Sequence, residues 1–117
     1  MSTNTSVSRK KVLFSSYELA DSSWKRFLGI MFRKKLGKPL LFILPQESIT
    51  RATIHSLFCI PFDAVFLDSP KRVVAVLHSV APWQFWVAPK APAKYLIELP
   101  AGSARKLGIK EGEKLDF

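Results

Sequence analysis

Ala64-Val65-Phe66-Leu67-Asp68-Ser69-Pro70-Lys71-Arg72-Val73-Val74-Ala75-Val76-Leu77-His78 is the stretch on which the fold turns. Residues 64–67 and 73–78 are short apolar runs rich in β-branched and aromatic side chains. The proline-containing segment Asp68-Ser69-Pro70-Lys71 between them is a turn. Two such runs joined by a loop of this length predict a β-hairpin whose strands lie in the core.

The same grammar extends outward. Residues 40–44 form a continuous apolar run stopped by Pro45, and residues 52–60 form another stopped by Pro61. Residues 83–87 and 95–99 read as strands separated by a loop over 89–92, and residues 114–117 as a last strand after a Glu111-Gly112 turn. Residues 12–19 are compatible with a first strand. The period changes after Asp21, a candidate N-cap: Trp24, Phe27, Leu28 and Met31 recur at i, i+3, i+4 and i+7. They form the buried stripe of an amphipathic helix over 22–33, with Lys25, Arg26 and Arg33 outside it. Gly37 and Pro39 end that helical region, and residues 103–107 make a second short helix closed by Gly108. Many short strands without alternating long helices predict a mainly β (α+β) domain, a barrel or sandwich rather than a parallel α/β sheet.

Composition bounds the function classes. The chain has 117 residues with 48% hydrophobic content, the make-up of one folded domain over residues 9–117 behind a disordered tail over 1–8. Eighteen Lys and Arg against nine Asp and Glu leave a formal charge of +9. Residues 1–58 carry ten basic and three acidic side chains, and residues 59–117 carry eight and six. A basic surface concentrates polyanions around it, and it also keeps a protein soluble. The single cysteine, Cys59, precludes an intramolecular disulfide; between Phe58 and Ile60 it is expected to be reduced, buried and inert. The N-terminus lacks the apolar core of a secretory signal. The longest charge-free stretch, residues 73–89, is interrupted by His78, Pro82 and Gln84, so no membrane insertion is expected and a cytoplasmic location is.

Candidate chemistry is sparse. No Gly-rich phosphate loop, HExxH, GxSxG or CxxC pattern occurs. His55 and Cys59 are four apart, but on a strand that spacing separates them by about 13 Å, too far to share one zinc ion. No metal and no cofactor are expected. Asp63 sits against core-forming sequence; it is either a strand-end cap accepting backbone N–H groups or an acid facing a pocket, paired with Arg33 or His55. Trp83, Phe85 and Trp86 lie beside Lys90 and Lys94, a pattern shared by stacking platforms and by core aromatics with a snorkelling rim. Lys25, Arg26, Arg33, Lys34, Lys35 and Lys38 form a run without an acid that could meet phosphates or simply be solvated.

Several stretches in register resemble the domain of unknown function 192 family. They are Gly29-Ile30-Met31-Phe32-Arg33, Leu40-Leu41-Phe42-Ile43-Leu44-Pro45, Ile54-His55, Pro61-Phe62-Asp63-Ala64-Val65-Phe66-Leu67-Asp68, Pro82-Trp83, Pro92-Ala93-Lys94-Tyr95, Glu98-Leu99-Pro100-Ala101-Gly102 and Leu107-Gly108-Ile109-Lys110-Glu111-Gly112. The resemblance covers about residues 17–117. It implies a compact, mostly antiparallel barrel-like sandwich with two short helices, and it implies that Arg33, His55 and Asp63 lie near one another. It carries no settled activity. Residues 95–117 are also similar to the strand–helix–strand unit of swapped-hairpin transcription regulators.

Three function classes follow. The first is a binding module for a small anionic ligand or a protein partner, through a pocket near Arg33, His55, Asp63 and Trp83. The second is a non-specific nucleic-acid binder using Lys25, Arg26, Lys34, Lys35 and Lys38. The third, a hydrolase-type enzyme, has the least behind it: no nucleophile–base or paired-carboxylate spacing is visible, and two histidines give little acid–base capacity.

Overall fold

A computed structural model of the chain describes residues 10–12, 18–20, 39–50, 52, 54, 61–84 and 87–117. The tail expected over 1–8, the helix expected over 22–33, Cys59 and the basic run from Lys25 to Lys38 fall outside those residues. The described elements, in order, are β1 (Lys10–Val12), β2 (Glu18–Ala20), β3 (Leu40–Ser48), β4 (Phe62–Leu67), β5 (Val73–Val80), β6 (Ala93–Pro100), helix α1 (Ser103–Lys106) and β7 (Lys114–Asp116).

β4 and β5 are the expected antiparallel hairpin, with Leu67 opposite Val73 and Val65 opposite Val76. Its turn closes through Lys71 N–H to Asp68 O and Arg72 N–H to the Asp68 carboxylate, at 2.9 and 2.8 Å. The main sheet runs β2-β3-β6-β4-β5, antiparallel except for the β2–β3 pair. A second, two-stranded sheet pairs β1 with β7 in parallel.

All six residues of β4 are buried. A strand reads as a continuous apolar run when both faces of its sheet are covered, and both are. Leu40, Phe42, Phe62, Ala64, Phe66 and Leu96 build one cluster, joined by Ala52 and Val87. Leu41, Val65, Leu67, Ile97 and Leu99 build the other, against Ala104, Ile109 and Leu115. Alternation along β3 and β4 sends neighbouring residues to opposite clusters, whereas on β5 Val74 and Ala75 pack on the same one, where the β4–β5 ladder shifts register. Burying a Phe or Leu side chain contributes about 1.5–3 kcal/mol, so both clusters anchor the sheet.

The mainly β, mostly antiparallel class is as expected, and the sheet is not closed into a barrel. A barrel wraps one interior, whereas here β2 and β5 are the terminal strands of an open sheet, and the start of β5 bonds to the C-terminal segment. Val73 N–H donates to Glu113 O, Gly112 N–H donates to Val73 O, and Arg72 bridges Lys114.

Three strand boundaries differ from expectation. β3 continues through Pro45, which is exposed, because the β3–β6 ladder lapses between the Ile43–Tyr95 and Ser48–Ala93 pairs and demands no N–H there. The described residues of the strand expected over 83–87 lie in none: Trp83 is in a turn at φ 68°, and Val87 makes an isolated bridge to Ile54, while Phe85 and Trp86 lie outside the described residues. Ala52, the start of the run read as a strand over 52–60, is in a turn, its N–H donating to Ile49 O.

α1 ends where Gly108 predicted. At φ 69° it donates its N–H to Arg105 O while Ile109 N–H reaches back to Ala104 O, the paired bonds of a Schellman stop. Among the described residues no helix is long and apolar enough to cross a membrane.

Candidate functional site

Asp63 is the second residue of β4 and is fully buried. The β4–β5 ladder shifts register beside it: Phe62 faces Val80 but Ala64 faces Leu77, so Asp63 alone opposes both His78 and Ser79. This is a β-bulge, and its extra residue, Ser79, adopts φ 48°. An L-residue in the left-handed region is unfavourable unless its surroundings hold it there. One oxygen of the Asp63 carboxylate accepts the Ser79 N–H at 2.7 Å. The other accepts the Ala104 N–H at 2.8 Å. Ala104 belongs to the first turn of α1, where Gly102 occupies the cap position and supplies no side-chain acceptor. A residue 41 positions away in the chain therefore supplies the bond that a local cap would make. Both bonds are of the charge-assisted kind.

Past the bulge the chain leaves β5 and opens a groove of about 450 Å³. Its walls are residues 76–81 on one side and Gln84, Val87 and Ala88 on the other. Val80 and Val87 are buried and form an apolar floor, whereas His78, Ser79 and Gln84 are exposed and bring polar groups to the rim. Trp83, 60% exposed, stands in the turn between Ala81 and Gln84. Ser79 and Trp83 are two of the three non-glycine residues with positive φ among the described residues; Ser79 lines this groove, and Trp83 sits in the turn between its lining residues Ala81 and Gln84.

Glu98 is the other buried acid among the described residues, 4% exposed on β6. It pairs in register with Ala64 and Leu40, and Asp63 pairs with the next β6 residue, Leu99. Adjacent rungs of a ladder present their side chains to opposite faces. The two carboxylates are therefore separated by the sheet itself and cannot share a substrate as acid and base. Among the described residues no three His, Cys, Asp or Glu side chains stand together as metal ligands.

Of the residues singled out from the sequence, neither Asp63 nor Trp83 lines the groove; Asp63 reaches it only through its bond to the Ser79 N–H, and Trp83 lies in the turn next to Gln84. Arg33 and His55 lie outside the described residues, although Ile54, the neighbour of His55, is bridged to Val87 on the groove wall. Lys25, Arg26, Lys34, Lys35 and Lys38 also lie outside. Sequence reasoning passed over His78, Ser79, Gln84 and Glu98. An acid inside the apolar run 95–99 was a visible signal for Glu98. No signal announced the bulge, because it arises from pairing. Several described cations are already engaged: Lys90 with Glu111 at 2.7 Å, Lys94 with Pro45 O at 3.2 Å, and Lys71 with the Phe117 main-chain oxygen at 2.8 Å.

The comparisons agree with this architecture. A UPF0127 protein of Pyrococcus furiosus is 41% identical over 112 residues, 95% of this chain and 94% of that protein. A UPF0127 protein of Pyrococcus abyssi is 44% identical over 101 residues, 86% of this chain and 84% of that one. The crystal structure of a protein of unknown function from Novosphingobium aromaticivorans superposes with a TM-score of 0.79 at 28% identity, covering 86% of this chain and 74% of the other. The model of the DUF192 family, described as Uncharacterized ACR, matches residues 4–117, and the chain belongs to that family.

Proposed function

We propose that this protein is a binding module for a small anionic ligand, and that the groove beyond the β5 bulge is its site. The observation that carries the reading is the groove itself: about 450 Å³, with an apolar floor at Val80 and Val87 and a polar rim of His78, Ser79 and Gln84. Small-ligand sites are concave and carry a few placed polar groups, as this groove does. The formal charge of +9 favours anions over cations. Trp83, exposed in the turn next to Gln84, offers an aromatic face nearby, and Arg33 and His55 are the cationic candidates contributed by the family resemblance. Asp63 takes part through the backbone it holds rather than by touching the ligand.

The test is an amide NMR titration with inorganic phosphate and, separately, with citrate. Shifts confined to His78, Ser79, Gln84 and the Trp83 indole, weakened at least fivefold by His78→Ala, support the site. Shifts spread evenly over the basic surface, or none at millimolar anion, overturn it. A nucleic-acid role for Lys25, Arg26, Lys34, Lys35 and Lys38 rests on the acid-free run alone. It predicts an affinity falling with salt at a log–log slope of about −0.9 per duplex phosphate neutralised, flattened by charge reversal at Lys34 and Lys35.

A further inference from the structure

We infer that Asp63 is the positioning residue of this groove and that it makes groove occupancy felt at helix α1. The inference rests on the groove being the binding site. Ser79 forms part of the groove wall in a left-handed conformation that no glycine relieves. Its N–H is held by one oxygen of a fully buried carboxylate, and the other oxygen holds the Ala104 N–H of α1. The two donors converge on one side chain from two different elements. Only a carboxylate meets both with acceptors. An asparagine offers one acceptor and turns its own N–H groups against the second donor, and a glutamate is a methylene too long for the same two contacts.

Displacement of Ser79 by a ligand therefore changes the hydrogen bond to Asp63, and the carboxylate passes the change to Ala104. α1 is sensitive to it because the Asp63 bond replaces a side-chain cap that Gly102 cannot provide. Asp63 thus acts through Ser79 on one side and reports through Ala104 on the other, without touching the ligand.

The experiment is amide NMR on the full chain, wild type and Asp63→Asn, with and without inorganic phosphate. In the wild type, scalar coupling across the hydrogen bonds links the Ser79 and Ala104 amides to the Asp63 carboxyl carbon, and its absence overturns the inference whatever the variants do. In ligand-free Asp63→Asn, the His78, Ser79, Gln84 and Ala104 amide signals move and Ser79 exchanges at least tenfold faster, while Val65 and Ile97 do not change. Unmoved groove signals in the variant overturn the inference. Phosphate shifts Ala104 in the wild type and not in Asp63→Asn, whose affinity falls at least fivefold. The double variant Asp63→Asn/Ser79→Gly regains part of that affinity, because glycine adopts φ 48° without the clamp. A merely stabilising aspartate predicts no such rescue. If phosphate leaves the wild-type groove unshifted, the binding reading fails, and the positioning inference is still decided by the ligand-free variant signals.

Discussion

The two ends of β5 are built on opposite plans. At its start, the turn between β4 and β5 is closed by Asp68 and Lys71, braced by Glu47 through the Ser69 N–H, and tied to the C-terminal segment through Val73. Its left-handed residue, Lys71 at φ 70°, bonds the Phe117 main-chain oxygen and lies 4.3 Å from the centre of the Phe117 ring. The ladder slips near both ends, but at the far end Ser79 and Trp83 take left-handed conformations and a solvent-open groove replaces closure. One strand thus has an end where strain is locked into a dense set of contacts and an end where it borders a cavity. Strain beside a cavity is the combination that binding sites show.

The comparison breaks first in the core. Phe62 faces Val80 at the groove end and Leu67 faces Val73 at the turn end, and both are fully buried. Phe62→Ala is expected to destabilise by about 3–5 kcal/mol and Leu67→Ala by about 2–5 kcal/mol in urea denaturation. A loss below about 1 kcal/mol for Phe62→Ala would mean that the groove end is not part of the cooperative core.

The turn itself comes next. Asp68→Ala removes the acceptor of the Arg72 N–H and is expected to lower stability by about 0.5–1.5 kcal/mol, leaving the groove signals of an NMR spectrum in place. Movement of His78 or Gln84 in that variant would show that the two ends are not independent.

Strain can be read by pairing glycine with alanine. At each of Lys71 and Trp83 the glycine variant should exceed the alanine variant by about 1 kcal/mol, the relief of a left-handed backbone. At Lys71 both variants fall below wild type, because the ammonium contacts are lost. At Trp83, 60% exposed, the glycine variant falls less below wild type than the Lys71 glycine variant does; an equal or larger drop would overturn the reading that the turn end is the more densely tied.

The smallest effect tests the brace. The Ser69 N–H bond holds the Glu47 carboxyl below its ordinary value of 4.5. A depressed carboxylate stabilises the fold above the unfolded pKa and loses that contribution as pH falls through the folded value, below 4.5. Glu47→Gln should therefore lower the melting temperature slightly at pH 7, and the gap to wild type should close under strongly acidic conditions. A gap that persists there would assign the effect to packing rather than charge.

Much of the fold was legible because strands and turns are local. The hairpin, the strand over 95–99, the helix closed by Gly108 and the last strand follow from apolar runs and from residues suited to turns. The site was legible only in part. Asp63 stood out as an acid among core residues, and accepting backbone N–H groups was one of its two readings, but its donors come from a bulge and a helix distant in sequence. Trp83 was read as part of a strand, since a left-handed φ at a tryptophan leaves no mark in composition.

The sequence by itself determined the mainly β class, the hairpin, the buried runs and the basic charge, because side-chain period and turn chemistry act over a few residues. The tertiary structure alone decided that both faces of the sheet are filled, so that it stays open. It also decided that Asp63 and Glu98 face opposite sides and that a one-residue slip opposite Asp63 puts Ser79 in the groove wall. Register, face and slip are properties of which strands pair, and pairing is settled by contacts between residues far apart in the chain.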